Sequence, residues 1–371
     1  MLWLCGVKMK HIIVAGAGKI GCLIALHLAN TQDYCVTLID KDFSQADSQR
    51  IKNKANITCL VLDLSDKQQV QTQFEKLNAV AIVSCLPYFC NKQLADYAQA
   101  FQWHYFDLTE DVATAKYIVQ LAKDSQTVFM PRCGLAPGFI GLVAKHLSQQ
   151  FDELKAIKLR VGALPINSNN ALQYALTWST DGLINEYANA SEIIKNSAPF
   201  IVPSLEGLES IKIDGTSYEA FYTSGGIGNL ADIFNGKVET MSYKTIRYPG
   251  HCEKIKFLMN DLLLTQDRET LKIILERAIP KTYQDVVIIY VSITGYKQGK
   301  LIESNYVNKI YPCCFYGYDW SAMQVTTASS VAAVIDIILA DEKSYQGYQC
   351  QENIHFETFI QNRFGKIFQE A

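Results

Sequence analysis

The chain has 371 residues, of which 49% are hydrophobic and 19% charged, and its net charge is −3. That length accommodates two domains with substantial cores, and the near-neutral balance excludes the basic footprint of a nucleic-acid-binding protein. The most apolar late run, Val331–Ala340, is interrupted by Asp336 and is too short to cross a bilayer, so no membrane partner is expected.

The opening residues MLWLCGVKMK are apolar but lack the basic start and small-residue cleavage site of a signal peptide. They read as a short extra arm or an over-long start, with Met1 or Met9 as the initiator, and the expected location is cytoplasmic. Eleven cysteines are present without any C-x-x-C spacing, and the adjacent Cys313-Cys314 pair suits neither a metal nor a disulfide. Cys22, Cys35, Cys59 and Cys85 fall in apolar segments, where cysteine behaves as a small hydrophobe. No His-based metal motif appears, so no metal is expected.

The first element is an apolar strand, Ile12–Ala15. It leads into Gly16-Ala17-Gly18-Lys19-Ile20-Gly21 and a helix from Lys19 to about Ala29, with Ile20, Leu23, Ile24, His27 and Leu28 at helical spacing. A second strand, Cys35–Ile39, ends in Asp40. In this G-x-G-x-x-G pattern Gly16 permits the tight turn, Gly18 admits a pyrophosphate to the backbone, and Gly21 lets the helix pack on the sheet. The helix start offers free N–H groups to phosphates. Asp40 stands where an acid accepts hydrogen bonds from a ribose 2′-hydroxyl. The stretch is therefore a dinucleotide site formed by Gly16, Gly18, Lys19, Ile20, Gly21, Asp40 and Lys41. A carboxylate at Asp40 favours NAD by repelling a 2′-phosphate, while Lys41 and Arg50 keep NADP open.

Strands and helices then alternate: strand Ile57–Leu62, helix Val70–Leu77, strand Ala79–Leu86, a helix capped by Asn91 and running to Phe101, strand Trp103–Phe106, helix Val112–Lys123 and strand Thr127–Met130. Buried strands alternating with amphipathic helices define an α/β fold, a Rossmann-type doubly wound parallel sheet. Ligands of such sheets sit beyond the carboxyl ends of the strands. This places Asp63 and Leu64 near an adenine, Cys85, Leu86 and Pro87 along the path to a nicotinamide, and Tyr88 and Asp107 beside the reactive ring.

Pro137-Gly138 is expected to open another helix, because proline is tolerated in the first turn. From about Asp152 the strands lengthen and spread (Ala156–Ala163, Tyr218–Thr223, Val238–Tyr243, Val286–Tyr296), which reads as an α+β domain. Val325–Ala340 is a helix rich in small residues that returns to the first sheet, and the tail from Gln351 is expected to add a strand and a helix. The domains are thus drawn at 1–136, 137–322 and 323–371, the last completing the first.

Four strings in this second half are uncommon: GLAPGF (Gly134–Phe139), TWSTDGLINEY (Thr177–Tyr187), YEAFYTSGG (Tyr218–Gly226) and YKTIRYPGH (Tyr243–His251). On them the sequence resembles the saccharopine dehydrogenase-like oxidoreductases, most closely the lysine 6-dehydrogenase branch. The resemblance implies NAD(P)-linked hydride transfer from a carbon bearing nitrogen in an amino acid, followed by imine hydrolysis, and a homodimer assembled through the second domain. The branch implies lysine as substrate. A saccharopine or carboxynorspermidine type of secondary amine is the alternative, and a non-catalytic NAD(P)-binding regulator is a rival of another class. An amino-acid substrate needs a cation for its carboxylate, which points to Arg247 with Lys244 as companion or proton carrier. It also needs a base, for which Asp107 and His251 are the candidates. Trp178 and Tyr88 are expected to wall the aliphatic chain, and Ser179 and Asp181 to bond the substrate amine. Glu186 reads equally as solvated or cap-supporting.

Overall fold

The computed structural model describes residues 9–369. The expectation of a short extra arm, and with it the choice of start, turns on residues 1–8, which lie outside the described residues. The chain divides into two units. The first holds the residues up to Thr109, Ala113–Cys133 and Thr327–Gln349; the second holds Glu110–Val112, Gly134–Thr326 and the chain from Cys350 on.

The first unit begins with β1 (Lys10–Ala15), α1 (Lys19–Ala29), β2 (Tyr34–Asp40), α2 (Ala46–Ile51), β3 (Ile57–Val61), α3 (Lys67–Phe74), β4 (Ala81–Ser84), α4 (Asn91–Ala100), β5 (His104–Asp107), α5 (Val112–Leu121) and β6 (Val128–Met130). The central strands β1 and β4 bury the apolar runs Ile12–Ala15 and Ala81–Val83, as a sheet covered on both faces requires. One face buries Phe74, Trp103, Leu94, Ile82 and Phe129 in a single cluster. Phe74 meets Trp103 edge-on at 5.3 Å. Full burial of one such side chain is worth about 1.5–3 kcal/mol. Asn91 does not cap α4. It is the first helical residue, buried, and its Oδ1 accepts a 2.7 Å bond from Ser84 Oγ instead.

The second unit follows with α6 (Phe139–Ser148), β7 (Glu153–Pro165), α7 (Thr180–Ala188), β8 (Ser191–Lys195), β9 (Ala198–Val202), β10 (Glu209–Ile213), β11 (Thr216–Phe221), α8 (Leu230–Phe234), β12 (Val238–Arg247), α9 (His251–Lys256), α10 (Arg268–Ala278), β13 (Asp285–Lys297), β14 (Lys300–Ile310), β15 (Cys313–Phe315) and β16 (Tyr318–Trp320). Its main sheet runs β10-β11-β12-β7-β13-β14, with β8 and β9 added beside β12. Only the β12–β7 pair is parallel. One face carries Phe221 against α7, α9 and α10; the other buries Ala220, Ile246 and Ile288.

Pro137 lies before α6 rather than inside it. Gly138 adopts φ +130°, and a Cβ there would stand 2.2 Å from the Gly134 carbonyl oxygen, so the close approach of that carbonyl delays the helix until Phe139.

The chain ends with α11 (Ala322–Ala340), β17 (Gly347–Tyr348) and α12 (Phe356–Gln361). The start of α11 is earlier than expected because the Asp285 carboxylate accepts the N–H groups of Ala322 (2.6 Å) and Met323 (3.0 Å). At 19 residues α11 is long and apolar enough to cross a membrane, which corrects the expectation that no such run exists; most of it is buried within the protein. Its Asp336 accepts the Tyr34 hydroxyl proton at 2.8 Å, and its Ser329 hydroxyl meets buried His27 at 3.2 Å. β17 pairs parallel to β6 and completes the order β3-β2-β1-β4-β5-β6-β17. The tail also departs from expectation. Among the described residues it forms no strand after Gln351, and from Cys350 on it belongs to the second unit, where the rings of Phe359 and Phe368 pack on Phe139 at 5.4 and 3.9 Å.

Candidate functional site

The first unit carries a cradle at the carboxyl end of β1. Gly16 has φ +108°, and its N–H reaches the Ile39 carbonyl at 2.7 Å, which ties the turn to β2. A Cβ on Gly21 would stand 1.9 Å from the Gly16 oxygen, so the turn closes only without a side chain there. Gly18 differs: a Cβ on it would meet nothing within 4 Å. That open space lies beside the first turn of α1, whose N-cap has no side-chain partner and whose leading N–H groups are unspent within the helix. An exposed backbone, a positive helix end and room for a bulky group fit a dinucleotide pyrophosphate. Asp40 Oδ2 accepts the Ala17 N–H at 2.7 Å and Oδ1 the Asp42 N–H at 3.1 Å, so the acid both braces the turn and keeps lone pairs for a ribose. Ile20 and Lys19 are half-buried in the first turn, while Lys41 is exposed.

Other strand ends supply the rest of this rim. Asp63 is exposed and accepts Ser65 N–H and hydroxyl bonds at 2.9 and 2.8 Å, which keep its carboxyl below the usual range. Leu64 is half-buried, and its carbonyl accepts from Gln93 at 2.7 Å. Cys85 and Leu86 line the inner side of the Gly16 turn, and Pro87 is exposed before the half-buried Tyr88. Asp107 is fully buried. Its oxygens accept from Tyr105 Oη (2.8 Å), Thr109 N (2.9 Å) and Arg132 N (3.0 Å), joining the ends of β5 and β6. Burial outweighs these bonds and raises its carboxyl above the ordinary value.

The second unit holds a buried polar cluster on the helix-covered face of its sheet. Arg247, at the end of β12, is 3% exposed. Its Nε donates to Tyr187 Oη at 2.9 Å and one terminal nitrogen donates to the Ile246 carbonyl at 2.9 Å. The guanidinium lies 4.9 Å from the Tyr174 ring centre and 5.8 Å from that of Tyr187. Guanidinium has five N–H donors, and Arg247 forms no ion pair among the described residues. His251 Nδ1 is 2.8 Å from the Leu172 carbonyl. A carbonyl only accepts, so that nitrogen carries the proton and Nε2 accepts from Tyr187 Oη at 3.0 Å. The result is a directed chain, Arg247 to Tyr187 to His251 to Leu172. It is anchored from β11, where the Glu219 carboxylate accepts Gly250 N–H (2.7 Å) and Cys252 N–H (2.6 Å) at the start of α9.

Several expected roles change here. His251 was expected to carry protons near neutral pH, but burial, aided by Arg247, lowers it to about 3 and both ring nitrogens are engaged, so it orients Tyr187 instead. Lys244 is not a companion of Arg247. Three residues apart on one strand, the two point to opposite faces, and Lys244 bonds Glu209 at 2.7 Å, which also holds Arg160. Ser179 caps α7 by accepting the Gly182 N–H at 3.2 Å, and Asp181 pairs with Lys272 at 2.8 Å. Trp178 is half-buried with its ring over Gly182, where no side chain intervenes. Glu186 is neither solvated nor a cap: it is 7% exposed, and burial raises its carboxyl to about 8 despite Arg247, with Glu110 adding to the rise.

Tyr174, Thr177, Tyr187 and Glu219 were not singled out from the sequence. Thr177 and Tyr187 bound one of the uncommon strings and Glu219 lies in another, which is the available signal; nothing local marks Tyr174.

A parallel sheet in this order with a glycine cradle, in a chain whose second unit is built on a mixed sheet, defines a dinucleotide-binding dehydrogenase fold. Two family domains match along the chain: the saccharopine dehydrogenase NADP binding domain over residues 12–129 and the saccharopine dehydrogenase C-terminal domain over 134–369. The chain belongs to the saccharopine dehydrogenase family. It is 23% identical over 277 residues to saccharopine dehydrogenase [NADP(+), L-glutamate-forming] of Saccharomyces cerevisiae, covering 70% of this chain and 59% of that one, so it spans well under two thirds of that relative's length. Among solved structures it is similar to the apo saccharopine dehydrogenase (L-Glu forming) of Saccharomyces cerevisiae, with a TM-score of 0.74, 16% identity and coverage of 97% and 96%. C. glutamicum DAP dehydrogenase in complex with DAP shares the fold more distantly, with a TM-score of 0.50, 11% identity and coverage of 94% and 95%.

Proposed function

We propose that the protein oxidises a carbon–nitrogen bond of an amino acid in an NAD(P)-dependent reaction, with the ε-amine of lysine as the first reading. The observation that carries this is Arg247: a buried guanidinium with unspent donors and no carboxylate partner among the described residues. A buried guanidinium without a carboxylate contact still has a favourable partner to gain, and a substrate carboxylate supplies it through a bidentate contact. Within the second unit Arg247 is the single buried cation without an ion pair among the described residues, which suits a substrate with one carboxylate.

A bound nicotinamide supplies the hydride acceptor. The chain's own part is to hold the cofactor, orient the amino acid and take a proton from the amine. Gly16, Gly18 and Gly21 shape the cradle. Tyr187 and His251 keep the guanidinium aimed. His251 is held neutral and fully bonded and Lys244 is committed to Glu209, so neither is free to take that proton. Asp40 supports NAD, and the family domain's description supports NADP.

The second reading is a saccharopine-type secondary amine, favoured by the yeast relative and by both family domains. Absorbance of reduced cofactor, followed with lysine and then saccharopine, each with NAD and NADP between neutral and alkaline pH, separates the readings. Lysine turnover supports the first and saccharopine turnover the second. Cofactor binding without turnover on either would overturn both and favour a regulatory protein.

A further inference from the structure

Four polar groups of the second unit surround a single question of charge. Arg247 is buried without an ion pair among the described residues. Glu186 is 7% exposed, and its carboxyl makes no hydrogen bond among the described residues. Tyr174 Oη and Thr177 Oγ1 are both buried and close to one another, and neither makes a well-formed hydrogen bond among the described residues. Glu186 and Arg247 sense one another's charge, yet they form no ion pair.

A carboxyl and a guanidinium in a low-dielectric interior gain strongly by touching once the acid is ionised, so their separation requires a restraint. Arg247 is held back by Tyr187 Oη and the Ile246 carbonyl. Glu186 is fixed on α7, whose backbone carbonyl at that residue accepts the Ser224 N–H at 2.9 Å. Buried polar groups are nearly always satisfied in a working protein, and here a cation, an acid and two hydroxyls are all short of partners. The complement of that set is a small molecule with one carboxylate and one ammonium.

We propose that Glu186, with the Thr177 and Tyr174 hydroxyls beside it, binds the α-ammonium of the amino-acid substrate whose carboxylate Arg247 holds, so that the second unit selects a zwitterionic head group. The inference rests on the reading of Arg247 as the carboxylate anchor. It goes beyond it by assigning a second, opposite contact and by excluding ligands that carry either charge alone. The ligand ammonium favours the ionised form of Glu186, so the occupied site is charge-neutral, with each protein charge facing an opposite ligand charge.

The test is calorimetry on the full chain saturated with reduced cofactor, which blocks amine oxidation, using L-lysine, 6-aminohexanoate (no α-ammonium) and cadaverine (no carboxylate). Lysine is expected to bind about tenfold or more tighter than 6-aminohexanoate, the scale for a site left with an unpaired buried group, and cadaverine weakest of all. Glu186→Gln should bring lysine and 6-aminohexanoate within about twofold of each other, and Glu186→Asp should restore part of the gap. If the wild type binds lysine and 6-aminohexanoate equally while rejecting cadaverine, the role of Glu186 is overturned and that of Arg247 stands. If cadaverine binds as well as lysine, the Arg247 reading fails. If none of the three binds, both fail. Should Glu186→Gln not fold, the wild-type ratio and Glu186→Asp still decide.

Discussion

The cradle of the first unit and the polar cluster of the second are built in opposite ways. The cradle is six consecutive residues acting through backbone: Gly16 supplies a positive φ, Gly21 a missing side chain, and the start of α1 its N–H groups. The cluster is side chains from β11, β12, α7, α9 and the segment before α7, acting through charge in a buried interior. One is robust to most side-chain changes and fragile to an added methyl. The other is the reverse, because each member satisfies or orients the next.

The sharpest break of this contrast is Arg247→Met. It should raise the substrate KM by about 100-fold or more, the scale for losing a buried charge contact, while the cofactor dissociation constant stays unchanged. A parallel loss of cofactor affinity would mean that the change unfolds the chain rather than emptying one site. Gly21→Ala should abolish measurable cofactor binding and lower the melting temperature, since its Cβ would stand 1.9 Å from a carbonyl oxygen. Gly18→Ala should leave the melt unaltered, because φ −78° suits alanine and nothing lies within 4 Å, yet weaken the cofactor by about tenfold by filling the phosphate space. Equal melts for the two variants would contradict the cradle geometry.

Asp40→Ala is a smaller effect of a different kind. NAD should weaken by about tenfold and NADP much less, because only the free ribose hydroxyl loses a partner. Equal loss of both would show that Asp40 serves only to brace Ala17.

The two buried titrating groups of the second unit pull stability in opposite directions with pH. His251 is lowered from 6.5 to about 3, so between those values the unfolded chain holds a proton that the native chain refuses, and stability falls as pH drops below about 6.5. His251→Asn should flatten that acid limb in thermal melts. Glu186 is raised from 4.5 to about 8, so the native chain holds the extra proton and stability falls as pH rises through that window. Glu186→Gln should therefore melt about 2–4 °C higher at pH 8 and little higher at pH 5. A variant less stable than wild type at pH 8 would contradict the buried, unbonded carboxyl.

The difference in construction also explains what could be read early. The cradle was legible because its residues are adjacent and each glycine answers a backbone need that is local. The first parallel sheet followed from the alternation of apolar runs with helical spacing. Lys244 was misplaced although strand alternation alone separates it from Arg247, once the strand is extended from Tyr243 to Arg247 as observed. His251 and Ser179 were given chemistry that their surroundings use for structure: one is enclosed and doubly bonded, the other caps a helix. The tail was assigned to the first unit because nothing local reveals that Phe359 and Phe368 pack on Phe139, more than two hundred residues earlier.

By itself, then, the sequence determined the dinucleotide turn, the parallel sheet that carries it, the family and the importance of the strings around Thr177–Tyr187 and Tyr243–His251. These rest on local spacing and on backbone geometry that a few residues dictate. Only the tertiary structure decided which members of those strings face one another, that Arg247 is buried without a carboxylate while Lys244 has one, and that Glu186 is a raised acid rather than a surface charge. Burial and long-range pairing set the protonation and freedom of a polar side chain, and both arise when distant segments close around it.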